Sequence, residues 1–118
     1  MKTILVLICI LSNVLATNKY TILSPQMTCN HAKKACKAKG QRVARVAGKD
    51  LDEVARALKD SGVVDGWIET YKGKRLKNGK GLIITIKGIR RHRGAVVPTA
   101  ECRSAGCSST HHVICEAK

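Results

Sequence analysis

Phenylalanine is missing altogether, and aromatic residues make up only 3% of the 118-residue chain: Trp67, Tyr20 and Tyr71 are all it has. Any interior must therefore be built from Val, Ile, Leu and Ala, whose modest side chains leave a small domain short of apolar burial and dependent on covalent staples. Acid is scarce as well, with 8 carboxylates against 22 Lys and Arg for a net charge of +14. So large an excess excludes an electrostatically neutral surface and points to an anionic partner. An uninterrupted apolar run of about 20 residues, the length that spans a bilayer, is also lacking, so no transmembrane segment is expected. The one apolar run, residues 4–11, follows Lys2, is broken by Ser12 and Asn13, and ends at Val14-Leu15-Ala16, small residues suited to signal peptidase. The expectation is a secretory leader over residues 1–16 and one extracellular domain over residues 17–118.

Loss of that leader removes Cys9 and Lys2, lowers the net charge from +14 by one, and leaves Cys29, Cys36, Cys102, Cys107 and Cys115. Five cysteines in an oxidising compartment imply two bridges and one leftover, in a pairing that composition leaves open. Three of them fall in the closing stretch 100–116, AECRSAGCSSTHHVICE. Its β-prone end, His111-His112-Val113-Ile114-Cys115, reads as a terminal strand that carries a cysteine into the core. Cys36, in the helical run 28–39, is the best candidate partner for Cys115. That bridge would enclose nearly the whole domain and is worth about 4 to 5 kcal/mol in the chain-entropy picture.

In chain order, residues 19–23 read as a short strand that breaks at Ser24-Pro25. Thr28 is placed to cap a helix with Ala32, Ala35 and Cys36 on one face and Gly40 as its stop. Residues 42–46 suggest a strand. Asp50 to Glu53 then matches a capping box, and Leu51, Val54, Ala55 and Leu58 recur at helical spacing up to Gly62. Residues 63–71, containing Trp67 in an apolar setting, read as a strand that leads into a loop over 72–81. Two further strands are expected at 82–86 and 95–97. The order strand, helix, strand, helix, then several strands argues an α+β fold with a small, mainly antiparallel sheet.

The pattern Ala32-x-x-Ala35-Cys36-x-x-x-Gly40-x-x-Val43-Ala44-x-Val46, a second helix ending at Leu58, the Trp67-Ile68 pair, and the closing Cys107…Val113-Ile114-Cys115-Glu116 resemble the C-type lectin-like fold over most of the chain after the leader. The resemblance implies bridges Cys36 to Cys115 and Cys102 to Cys107, with Cys29 left over, unpaired or joining two chains in a disulfide-linked dimer. The sequence departs from that pattern where calcium-dependent sugar-binding members carry Glu-Pro-Asn or Gln-Pro-Asp and a later Trp-Asn-Asp. Pro98, between Val97 and Thr99, offers no carboxylate, and Ca²⁺ needs six to eight oxygen ligands. No metal or other cofactor is therefore expected, and the long ligand-bearing loop of full-length members is cut down to a basic turn.

The chemistry in view is cationic. Lys72, Lys74, Arg75, Lys77, Lys80, Lys87, Arg90, Arg91 and Arg93 follow one another with no acidic residue between Glu69 and Glu101. Guanidinium and ammonium groups in such a run suit sulfate and phosphate oxygens, so these nine are the candidate ligand-binding set, and an acidic glycan or other polyanion is the candidate partner. A protein partner is the alternative. Catalysis is not expected. A small basic ribonuclease-like enzyme would need paired histidines, yet among His31, His92, His111 and His112 the adjacent pair at 111–112 must point to opposite faces of a strand. A cationic membrane-active, antimicrobial or host-interaction role is the other class, but the first helix sets Lys33, Lys34, Lys37 and Lys39 against an apolar side too thin to insert. Nucleic acid fits poorly with secretion and with so few stacking aromatics.

Overall fold

The computed structural model describes residues 19–77 and 79–118; the residues read as a leader lie outside them. The chain is α+β, with helices α1 (Cys29–Ala38) and α2 (Leu51–Asp60) and strands β1 (Tyr20–Met27), β2 (Gln41–Val43), β3 (Arg45–Val46), β4 (Asp65–Ile68), β5 (Thr70–Tyr71), β6 (Lys80–His92), β7 (Ala95–Gly106) and β8 (His111–Ala117). The main sheet runs in the order β1-β8-β4-β6-β7, with β2 also on β8, while β3 and β5 form a small parallel pair. It is mixed, since β4 runs parallel to β8 through Trp67 and Val113 and the other pairings are antiparallel.

Strand alternation divides the interior in two, because successive side chains point to opposite faces. Ile68, Ile84 and Ile114 meet Val54, Ala57 and Leu58 of α2 on one face. Trp67, Ile83 and Val113 meet Ala32 and Cys36 of α1 on the other. Each helix thus buries its apolar stripe against the same sheet from opposite sides. In a chain without Phe, Trp67 is the largest filler: its ring is 1% exposed and its Nε1–H donates to Met27 O at 2.7 Å.

Both helices start and stop near their expected ends, with Gly40 and Gly62 following them. The caps are built differently. Thr28 stands at the N-cap, but its hydroxyl pairs with His31 Nδ1 at 2.8 Å and makes no side-chain bond to the helix backbone. Asp50 does not form a capping box with Glu53. It closes a 3-10 turn over Gly48–Asp50, and its carboxylate instead meets Lys19 Nζ at 3.5 Å. The first strand runs through Ser24-Pro25, with its pairing to β8 irregular between Leu23 and Met27, so the proline produces a bulge instead of an end. The expected strand 42–46 divides at buried Ala44, whose N–H bonds Ile114 O and whose carbonyl accepts from Glu69 N–H, so the chain passes there from one sheet to the other.

The cysteine pairing needs a correction. Cys36–Cys115 is formed, with Cα atoms 5.6 Å apart, but the second bridge is Cys29–Cys107, at 4.9 Å, and Cys102 is unpaired among the described residues. Cys102 lies in β7 opposite Ile84, and the extended run to Cys107 separates their Cα atoms by roughly 16 Å, against about 7 Å at most for a bridge. Cys29 and Cys36 are two turns apart on one face of α1, so both reach the closing segment, and Cys29 N–H also bonds Cys107 O at 3.3 Å. Cys29 is therefore not left over for a disulfide-linked dimer.

Candidate functional site

The nine candidate cations do not form one patch. The expected strands at 82–86 and 95–97 belong to one hairpin whose arms, β6 and β7, are 13 and 12 residues long. At roughly 3.3 Å per residue β6 spans on the order of 40 Å, several times the ~8 Å screening length at physiological salt. Lys72, Lys74, Arg75, Lys77 and Lys80 lie at or before its foot; Lys87, Arg90, Arg91 and Arg93 lie toward its tip. Two of the nine are also compensated from elsewhere in the chain. Arg75 donates to Glu69 at 3.2 Å and Arg90 to Asp52 on α2 at 3.3 Å.

At the foot the cations border a cavity of about 320 Å³, set between the N-terminal half of α1, the loop before β6 and the sheet. Lys33, Arg75, Lys77 and Lys80 line it, with Leu76, Leu82 and the buried Trp67 among its apolar side chains. Gly81 makes this possible: a Cβ there would stand 2.7 Å from Trp67 Cζ3, so only glycine lets β6 lie against the indole. Cys29 and Asn30 bring the N-terminal end of α1 to the same wall, and the helix has no acidic residue in its first turn to offset the positive end of its dipole. The one carboxylate in the lining, Glu69, is held by Arg45 at 3.0 Å and by Arg75 at 3.2 Å, which fixes the Arg75 guanidinium at the cavity wall. Among the described residues Lys33, Lys77 and Lys80 have no ion-pair partner, and all three are exposed.

Lys33 is the member that sequence reasoning missed. It lies some forty residues upstream of the basic run, on a helix read only as a positive exterior, and nothing local marks it as a neighbour of Lys77 or Lys80.

The histidines separate as strand geometry requires. His112 Nδ1 faces Leu23 O at 3.0 Å, whereas His111 Nδ1 faces Asp65 Oδ2 at 3.2 Å, with Trp67 edge-on at 4.9 Å. His111 Nε2 also meets Ser109 Oγ at 3.1 Å, which completes a Ser-His-Asp sequence of contacts. Activation of a serine requires its proton to face the imidazole. Here the Ser109 hydroxyl donates to Gly106 O at 2.6 Å, and the cavity at the hairpin foot is lined by neither Ser109 nor His111. The contacts instead tie the turn before β8 to β4.

Burial raises the Cys102 thiol pKa above its ordinary 9.0, which lowers its thiolate population and its reactivity. No group of three or more His, Cys, Asp or Glu side chains is placed to hold a metal ion, and no helix is long and apolar enough to cross a membrane, among the described residues. No family model matches the chain, and no curated protein or solved structure was found to match it.

Proposed function

We propose that this chain is a secreted, calcium-independent binding module of C-type lectin-like architecture that engages acidic, sulfated glycans and carries out no catalysis. The observation that carries the reading is the cavity at the foot of the hairpin. Its size falls at the lower end of small-ligand sites, and Lys33, Arg75, Lys77 and Lys80 supply donors for sulfate or carboxylate oxygens around an apolar wall. One acidic sugar unit is the occupant this combination suits, and a longer polyanion would continue toward the cations of the hairpin tip. Two disulfides suit an oxidising compartment. The α+β sheet with Cys36–Cys115 joining the first helix to the last strand is consistent with the C-type lectin-like resemblance.

A comparison of a sulfated disaccharide with polymeric heparin tests the site. Lys33→Gln/Lys77→Gln/Lys80→Gln is expected to weaken both ligands by on the order of tenfold or more and to flatten the salt dependence of heparin binding, because fewer counterions are released. The same number of changes at Lys34, Lys39 and Lys59, none of which lines the cavity, should have a much smaller effect. Arg90→Gln/Arg91→Gln/Arg93→Gln should weaken heparin alone. Chelators should change nothing. Equal losses from the first two triple variants would mean that only net charge matters and would overturn the reading.

A further inference from the structure

The tip of the β6–β7 hairpin combines cations with aliphatic side chains that stand further into solvent than Leu76 at the foot: Leu76 is 39% exposed, Val96 49% and Ile89 68%. Pairing of Ile86 with Ala100 places both against the core under α2. Pro98 lies two residues from Ala100 and so on the same face, and it is the last buried residue toward the tip. Beyond it the pairs Ile89 with Pro98 and Arg91 with Val96 keep Ile89, Arg91 and Val96 on that face, where Ile89 is 68% and Val96 49% exposed. The apolar face that α2 covers lower down therefore continues to the tip without cover. A register shift at Lys87 re-aims the arm just before this strip, and a turn with positive φ at Arg93 and Gly94 closes it. Lys87, Arg91 and Arg93 are exposed around the strip, while Arg90 reaches back to Asp52 and ties the arm to α2.

We infer that this tip is a contact for anionic lipid bilayers, in which Ile89 and Val96 enter the headgroup boundary while Lys87, Arg91 and Arg93 meet the lipid phosphates. Charge selects this occupant over a second copy of the chain, since self-association through the tip would set like cations against one another. It also separates the tip from the foot: a sulfated sugar rewards cations but has no use for exposed aliphatics, whereas an anionic membrane surface rewards both. The thin apolar side of α1 does not limit this arrangement, because the hairpin supplies the inserting surface. The inference is independent of the glycan reading.

Co-sedimentation with phosphatidylcholine vesicles, with and without phosphatidylserine, tests it. The chain over residues 17–118 should pellet with the phosphatidylserine vesicles and remain in solution with pure phosphatidylcholine. Ile89→Ser/Val96→Ser, at exposed positions, should keep the melting temperature and heparin retention of the parent while losing on the order of tenfold or more in vesicle binding. Ile89→Trp gives a second readout, because Trp67 is buried and reports little of the surface: its emission should shift to the blue with anionic vesicles and not with heparin. No binding to anionic vesicles, parental binding by the double serine variant, or an unshifted emission in the pelleted complex would each overturn the inference. So would a dimer of the parent chain that the double serine variant abolishes, since that assigns the strip to a second copy.

Discussion

Tyr20 shows how one hydroxyl can couple stability to pH. Its ring is buried beneath α2, and its OH has no hydrogen-bond partner among the described residues. Burial first, then the nearby carboxylates of Asp50, Glu116 and Glu53, hold its pKa well above the ordinary 10.0. Cys102 is raised from 9.0 by burial alone. Both groups keep their protons in the folded chain at a pH where the unfolded chain has begun to lose them. Their contribution is therefore present below about pH 9 and is lost as pH rises, by up to about 1.4 kcal/mol per unit for Tyr20 and in the same direction for the partly exposed Cys102. Urea melts across the alkaline range should show this fall, and Tyr20→Phe should make it shallower. At neutral pH the same substitution removes an unpaired buried hydroxyl, so the melting temperature should stay the same or rise. A loss of several degrees would mean that the hydroxyl is satisfied after all.

At the scale of the element, the β6–β7 hairpin depends on its turn. Arg93 and Gly94 have φ of +53° and +80°, the conformation that matches the twist of a two-residue hairpin. Open space surrounds the position of a Cβ on Gly94, so a side chain there meets no steric barrier and only the backbone conformation resists it. Gly94→Ala is expected to cost about 1 to 2 kcal/mol, read as a lower urea midpoint with an unchanged slope. If the slope changed as well, the arm would be opening separately from the domain. The same geometry explains why the long arms are hard to see in the sequence. Gly88 and the run Arg90-Arg91-His92-Arg93 look like loop chemistry, yet each residue from Gly88 to His92 pairs across to β7. Ladder hydrogen bonds do not depend on side-chain polarity, and a solvated arm needs no alternation of apolar and polar residues.

For the whole molecule, both bridges run from α1 to the segment around β8, with sequence separations of 78 and 79. They are not equivalent in entropy. The first to form closes nearly the entire chain, worth about 4 to 5 kcal/mol. With Cys36–Cys115 in place, the second closes a ring through 29–36 and 107–115 alone, and a ring of about 15 residues is worth roughly 3 kcal/mol. Non-reducing peptide mapping should recover Cys29 with Cys107 and Cys36 with Cys115, with Cys102 alkylated fully only after denaturation. Replacing Cys29 and Cys107 together by Ala should lower stability by roughly that second increment while the remaining bridge stays intact. Recovery of a Cys102–Cys107 peptide from native protein would contradict the register of β6 on β7.

Periodicity and composition alone determined the two helices and their ends, the α+β class and the burial of Trp67, and left Cys36 with Cys115 as a candidate pairing only. Each of these follows from neighbours a few residues apart or from the scarcity of large apolar side chains. Only the tertiary structure decided that Cys29 joins Cys107, that Arg75 and Arg90 find Glu69 and Asp52, that Lys33 lines the same cavity as Lys77 and Lys80, and that a run of cations without an intervening acid becomes two groups at opposite ends of a hairpin. The physical reason is distance. Residues adjacent in sequence can be carried tens of ångströms apart by an extended strand, and residues far apart in sequence can be brought together by sheet register, while charge count and cysteine count record neither.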